Sequence, residues 1–404
     1  MKINTKIMIL GAGFAGMMAT LRLANRTRHQ AVEITLVNAS ATFVERTRLH
    51  QNATGQTVPT KSLRTMLQGT KVNFVQGKAT ALDLARRTVT VNTEEGVQML
   101  SYDKLIYALG SHTDLSRIPG ATEHAYAVEQ HASLFEHLHK IAPDHGRVLV
   151  IGGGLTGIEI ATEIAETHPA LRVALATSGL LGADLSSAGA RYLAKTFQRL
   201  GIAVHEQTKV LRLEAGQAIT ATNEVVPFDV CIDTSGFSVS PLAQQAGLAV
   251  NARGQILVNA SLHSSTHPEI YAVGDAAAFE QSADLALRMG CVTAIPLAIH
   301  AAENLARTVS GQAEQPFQFG YLIRCISLGR HNGLIQFVDV ADRPRDRVLT
   351  GRVGAMVKEL ILHYVMWSLQ FERRFAFYRW PQGQQAHMDL AAATTPLVTE
   401  MVNR

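Results

Sequence analysis

The chain has 404 residues, 47% of them hydrophobic and 17% charged, the balance of a packed protein with two or three cores rather than a disordered one. Its formal charge is +4 and its sequence pI about 9.0. With no basic run interleaved with aromatic residues, that small excess does not point to nucleic acid. Three cysteines, Cys231, Cys291 and Cys325, lie far apart in sequence, which suits a reducing cytoplasm and excludes a C-x-x-C redox centre. The histidines show no paired metal-ligand spacing, and neither a cleavable leader nor an uncharged span of about 18 residues is visible.

The apolar run at 7–10 predicts a strand, ended by Gly11-Ala12-Gly13-Phe14-Ala15-Gly16. Met18, Leu21 and Ala24 then recur at roughly helical spacing and predict a helix over 15–26. Residues 32–37 predict the next strand, which stops at Asn38, and further strands are expected at 72–75, 88–91 and 105–110. The plan then repeats. A strand over 147–151 leads into Gly152-Gly153-Gly154-Leu155-Thr156-Gly157, a helix over 156–167, a strand over 171–177 and a helix near 187–200. Val230–Asp233 reads as another strand, followed by Thr234-Ser235-Gly236. After about residue 250 the chain is expected to return to its first domain through Ile270-Tyr271-Ala272-Val273-Gly274-Asp275. Strand-like pieces at 322–328 and 333–338 precede a long apolar helix.

In a dinucleotide turn the first glycine permits the bend, the second lets the backbone approach a pyrophosphate, and the third lets the helix pack on the strand. The helix N-terminus then offers unpaired N–H groups and a positive dipole end to phosphate. A single such pattern is weak evidence. Two, each set between a strand and a helix, predict two dinucleotide sites, one at Gly11, Gly13, Phe14, Ala15 and Gly16, the other at Gly152, Gly154, Leu155, Thr156 and Gly157. The acid expected about 20 residues further on is absent from both. Asn38 stands in the first place, where its carbonyl can bond a ribose hydroxyl with less charge assistance, and Ala176-Thr177-Ser178 in the second. Nothing there repels a 2′-phosphate and no arginine pair rewards one, so NADH and NADPH both stay open.

With these motifs in place, the chain resembles the two-dinucleotide flavoprotein family and, within it, the type II NADH dehydrogenases, over about residues 5–310. To the two glycine turns it adds Leu105-Ile106-Tyr107-Ala108-Leu109-Gly110, Ile158-Glu159, Thr234-Ser235-Gly236-Phe237 and the run from His267 to Asp275. The resemblance implies an α/β fold of two Rossmann-like domains. An FAD-binding domain over 1–115 and 250–314 is interrupted by an NAD(P)H-binding domain over 116–249, and a C-terminal α+β region follows over 315–404. FAD is the implied cofactor and NADH or NADPH the implied substrate. Asp275, after Gly274, would hold the flavin's ribityl chain, Arg46 would lie near the flavin phosphates, and the Ala79 backbone would read the adenine. Ala108, Gly110 and Gly236 would line the nucleotide crevices. Glu159 would stand at the nicotinamide–flavin contact in a catalytic role, with Arg48 and His50 as candidates for the flavin edge. The run from Cys291 to His300 resembles the helix that points its N-terminus at the flavin beside Ala294, with Pro296 in its first turn. The quinone reductases of the family carry two glutamines where this chain has Ile295 and Ile299.

The expected activity is hydride transfer from nicotinamide to flavin, then electron transfer to a second acceptor, a quinone or a small molecule. Two alternatives stand beside it: a soluble flavin oxidoreductase acting on a small biosynthetic substrate or a protein, and a nucleotide-binding redox sensor with little turnover. In the C-terminal helix Val353, Met356, Val357, Leu360, Ile361, Tyr364, Val365 and Leu369 are expected on one face, with Lys358, Glu359 and His363 on the other. Basic Arg373, Arg374 and Arg379 follow among aromatic residues. The stripe over 353–380 suits a bilayer interface, or else packing on the protein's own core or on the second subunit of a homodimer, the ordinary use of such a stripe. The expected location is the cytoplasm, at the cytoplasmic membrane face where that stripe meets lipid.

Overall fold

Continuous apolar runs such as those at 7–10 and 148–151 fit strands buried on both faces of a parallel sheet, and two such sheets form. A computed structural model describes residues 4–280 and 287–383. In the first sheet β1 (Thr5–Leu10) leads through a glycine turn into α1 (Phe14–Arg26), β2 (Val32–Asn38), the short helix α2 (Leu49–Asn52) and β3 (Val72–Gln76). An antiparallel meander, β4 (Lys78–Asp83), β5 (Thr88–Thr93) and β6 (Gly96–Ser101), returns the chain to β7 (Lys104–Tyr107). A short β8 (Ser111–Thr113) then leads out of the sheet.

The second unit follows the same logic. After α3 (His131–Ile141) come β9 (Arg147–Ile151), α4 (Leu155–Thr167), β10 (Arg172–Ala176), α5 (Ser187–Arg199) and β11 (Ala203–His205). A second meander, β12 (Val210–Glu214), β13 (Gln217–Thr220) and β14 (Val225–Pro227), leads back to β15 (Val230–Asp233). β16 (Phe237–Val239) then pairs antiparallel with β8, so the outgoing and returning chain segments travel together. β17 (Ile270–Ala272) rejoins the first sheet beside β7 and is followed by α6 (Cys291–Val309), which packs along α1.

The first sheet runs β17-β7-β1-β2-β3 and the second β11-β10-β9-β15, every neighbouring pair parallel. In each, the strand that precedes the glycine turn is where the chain order reverses, with the next strand on one side and a much later one on the other. Open parallel sheets bind ligands at the carboxyl ends of strands at such a switch point.

The C-terminal unit holds an antiparallel sheet, β18 (Ile323–Ser327), β19 (Gly333–Val338) and β20 (Pro344–Thr350), then α7 (Gly351–Glu372). Ile326, Leu328 and Leu334 join the core of the second unit, whereas Val365, Met366 and Leu369 join the core around the first sheet. This unit thus straddles both. Pro296, expected in the first turn of its helix, falls instead in the second, because α6 starts at Cys291; lacking an N–H, it leaves the Val292 carbonyl without its helical partner.

The single apolar face expected for α7 is split in the structure. Val365 and Leu369 are buried, but Val353, Met356 and Leu360 face solvent, Leu360 with 61% of its surface exposed. Lys358, assigned to the outer side, lies on the buried face. Periodicity counted the apolar residues correctly and missed the charged one that turns inward. Among the described residues no helix is long and apolar enough to cross a membrane.

Candidate functional site

Both glycine turns are built by close backbone approach. Gly11 and Gly152 adopt φ of +95° and +113°, a region that disfavours side chains. A Cβ on Gly16 would collide with the Gly11 carbonyl, and one on Gly157 with the Gly152 carbonyl, so each helix is pressed onto the strand that precedes it. By contrast, Gly13 and Gly154 have open space where a Cβ would stand. These two residues are the N-caps of α1 and α4, and neither helix has a side-chain cap. The backbone N–H groups behind Phe14, Ala15, Leu155 and Thr156 are therefore turned to the outside at a positive helix end, a cradle that suits the pyrophosphate of a dinucleotide.

Around the first cradle the candidate residues converge. The Gly11 turn lies against the backbone of Ala108, and Gly110 has φ of +66° just beyond. A Cβ on Gly274 would stand 3.1 Å from the Ala15 Cβ and 3.5 Å from the Ala294 Cβ, which places the starts of α1 and α6 at one point. Asp275 accepts hydrogen bonds from the Ser111 hydroxyl at 2.7 Å and the Gly290 N–H at 2.9 Å. Each carboxylate oxygen keeps lone-pair capacity for a ligand hydroxyl. Ser111 and Gly290 carried no sequence signal of their own.

Asn38 braces the turn: its side-chain carbonyl accepts from the Ala12 N–H at 2.9 Å and its amide donates to the Ser40 carbonyl. The carbonyl offered to a ribose in sequence thus serves the glycine loop. Ala79 lies on β4 beside a register slip opposite Val91. Arg46 forms an ion pair with Glu129 at 2.7 Å. Burial pushes the Glu129 carboxyl up, but Arg46 and the bond from the Thr113 hydroxyl outweigh it and hold it below the ordinary range. Arg48 reaches α7, pairing with Glu359 at 2.6 Å, and also pairs with Glu45 at 3.3 Å. At the second turn, Thr234 donates to the Ile151 carbonyl at 2.8 Å, and a Cβ on Gly236 would stand 2.5 Å from Arg117 Nη1.

Glu159, on the second turn of α4, is where the three units meet. Its carboxylate bonds the Lys358 ammonium of α7, accepts from the Ser327 N–H of β18 at 3.0 Å, and lies 3.8 Å from His50 Nδ1 of α2. Burial raises its pKa, yet the charge of Lys358 and the hydrogen bonds from Lys358 and the Ser327 N–H outweigh burial, and the group stays below the usual carboxylate range. Burial pushes the His50 imidazole down to about 4, and its Nε2 has no partner among the described residues. At neutral pH Glu159 is therefore a carboxylate and His50 a neutral imidazole. Cys291 and Cys325 have their thiols pushed up to about 11 by burial, so neither is a thiolate nucleophile at neutral pH. Lys358 escaped sequence analysis because one lysine in an apolar helix reads as a solvated side.

Residues 5–303 match the family described as pyridine nucleotide-disulphide oxidoreductase. The chain belongs to that family. It is similar to the demethylphylloquinone reductase NdbB of Synechocystis, with 25% identity over 89% of this chain and 91% of the relative. The type II NADH:quinone oxidoreductase of Staphylococcus epidermidis is 27% identical over 81% of this chain and 89% of its own. Among solved structures, NDH2 of Plasmodium falciparum in complex with NADH superposes with a TM-score of 0.75 at 16% identity, over 92% of this chain and 97% of the other. The architecture is that of the two-dinucleotide flavoproteins, and the chain is an oxidoreductase enzyme that uses FAD and a pyridine nucleotide. The uncapped cradles fit both groups.

Two outcomes are expected here. Lys358→Met leaves the Glu159 carboxylate buried without its counter-charge and costs about 3 kcal/mol. Glu159→Gln costs a similar amount, and the double variant loses less than the sum of the two, by more than about 0.5 kcal/mol in urea unfolding; strict additivity would show that the pair is not coupled. The second concerns pH. The unfolded chain protonates His50 near its ordinary value of 6.5 while the folded protein does so only near 4. Stability is therefore lost as pH falls between those values, and His50→Phe flattens that part of the stability–pH profile.

Proposed function

We propose that this oxidoreductase transfers two electrons from NAD(P)H, by way of FAD, to a quinone dissolved in a membrane against which α7 rests. In this reading residues 1–115 and 250–314 hold FAD, 116–249 hold NAD(P)H, and the unit from 315 onward supplies the docking face. Bound FAD would supply the hydride acceptance and the onward release of electrons. The chain's own residues position and shield. The α1 start would hold the flavin nucleotide's phosphates with Asp275 on its ribityl hydroxyls, the α4 start would hold the nicotinamide nucleotide's, and Glu159 would orient the nicotinamide end where α4, β18 and α7 meet.

The observation that carries the acceptor is the outer face of α7. Val353, Met356, Leu360, Trp367 and Phe371 lie exposed along it, and Phe375 and Phe377 follow. Seven of the sixteen exposed large apolar side chains of the described residues fall within positions 353–377, a concentration that marks a contact surface rather than scattered surface residues. Exposed Arg352 and Arg374 flank it and suit an anionic lipid surface. The names of the quinone-reducing relatives agree with this reading. A soluble acceptor is favoured by one feature, Ile295 and Ile299, which are buried apolar residues where quinone reductases of the family have glutamines.

The purified protein should be yellow, and its flavin absorption should bleach on anaerobic addition of NADH or NADPH. A chain that stays colourless with added FAD would refute the cofactor assignment. Leu360→Glu with Trp367→Glu should lower co-sedimentation with lipid vesicles and long-chain quinone turnover about tenfold, while reduction of a water-soluble dye stays unchanged. Equal quinone turnover in the two proteins would move the reading to the soluble acceptor.

A further inference from the structure

Away from the nucleotide cradles, a cleft of about 520 Å³ opens between the later turns of α1, the later turns of α6 and the segment after α7. Glu303 on its wall lies twelve residues beyond the start of α6, about 18 Å along the helix from the flavin end. The size is that of an organic ligand site rather than of a single water or ion. Its walls carry four arginines, Arg22, Arg26, Arg307 and Arg379, against one carboxylate, Glu303. Arg22 and Arg26 both pair with Glu303, at 2.6 and 2.8 Å, and Arg22 also pairs with the buried Glu372 behind it. Arg307 and Arg379 have no side-chain partner among the hydrogen bonds and ion pairs of the described residues. Among the described residues, two guanidinium groups without a side-chain partner thus share a concave wall with Arg26, whose carboxylate Glu303 also serves Arg22.

We propose that this cleft binds an organic phosphate, with Arg307 and Arg379 as its direct ligands and Arg26 beside them. Planar guanidinium forks match phosphate oxygens in pairs, and several forks around one anion suit a phosphate better than a group with fewer oxygens. The volume beyond the phosphate accommodates an attached polyol or glyceryl group. The segment after α7 fixes the orientation. Ala376, Tyr378 and Trp380 line the cleft, while the alternating Phe375 and Phe377 face solvent. A phosphate held inside would therefore present its organic portion towards an exposed aromatic rim. A lipid headgroup and a free phosphate ester share this chemistry. The site stands independently of which acceptor the enzyme reduces.

The experiment uses the holoenzyme and two probes: glycerol 3-phosphate, followed by titration calorimetry, and phosphatidylcholine vesicles with or without phosphatidylglycerol, followed by co-sedimentation. The double variant Arg307→Ala/Arg379→Ala is compared with Arg191→Ala/Arg199→Ala, which removes the same charge from the exposed side of α5. Removing charged hydrogen-bond donors should weaken binding about tenfold or more in the first pair and not in the second, with NAD(P)H:dye turnover unchanged in both. Loss confined to glycerol 3-phosphate supports the site with a free ester as its ligand. Loss on phosphatidylglycerol vesicles supports it with a lipid as the source. Equal behaviour of the two pairs on both probes, or no binding of either probe by the unaltered protein, overturns the proposal.

Discussion

Helices α1 and α4 each begin on an uncapped glycine at the point where a parallel sheet reverses its chain order, and the rest of the structure is arranged around that fact. An N-terminal turn leaves backbone N–H groups unpaired, and a Ser, Thr, Asp or Asn cap normally restores about 1 kcal/mol. The chain caps a helix in that way elsewhere: the Ser186 hydroxyl accepts from the Gly189 N–H at the start of α5. At α1 and α4 it places glycine instead. A Cβ at Gly13 or Gly154 would project into open space at the helix start, the space that the proposed reading gives to a phosphate. The parallel sheets then set where those two openings lie, each at the strand where chain order reverses.

What holds the two openings in a fixed relation is the C-terminal unit. α7 makes ion pairs with a different partner at nearly every stage: Lys358 with Glu159 of α4, Glu359 with Arg48 beside α2, and Glu372 with Arg22 of α1. Of these, the first and last are buried. Buried pairs are weak sources of net stability, because desolvating both charges offsets most of their attraction. Their force is directional. Sliding α7 by one residue would strand a charge against an apolar wall on both lobes at once, so these pairs fix register where apolar packing alone would tolerate several.

This also explains what could be read from the sequence and what could not. Parallel strands announce themselves because both faces are buried and the whole run is apolar; β1, β9 and β15 are of this kind. The glycine turns are legible because backbone geometry there excludes every other residue. Asp275 was legible through the motif around it, but its bonds to Ser111 and Gly290 join positions 164 and 15 residues away, which no local pattern encodes. Lys358 shows the limit most clearly. Its inward orientation depends on a carboxylate 199 positions earlier, and local periodicity assigns any lysine to water. For the same reason local periodicity merges two faces of α7 into one stripe.

The two faces of α7 invert the usual arrangement. A surface helix ordinarily buries its apolar side and exposes its charges, yet here Lys358 and Glu372 are buried while Leu360, Trp367 and Phe371 meet solvent. Each exposed side chain forgoes about 25 cal/mol for every Å² left in water. The inner face already fixes the helix through its ion pairs and through Leu362, Val365 and Leu369, so folding gains nothing from the outer apolar residues. Among the described residues this apolar stripe stays uncovered beside arginines and a cationic cleft, the pattern of a contact surface rather than of a packed helix face.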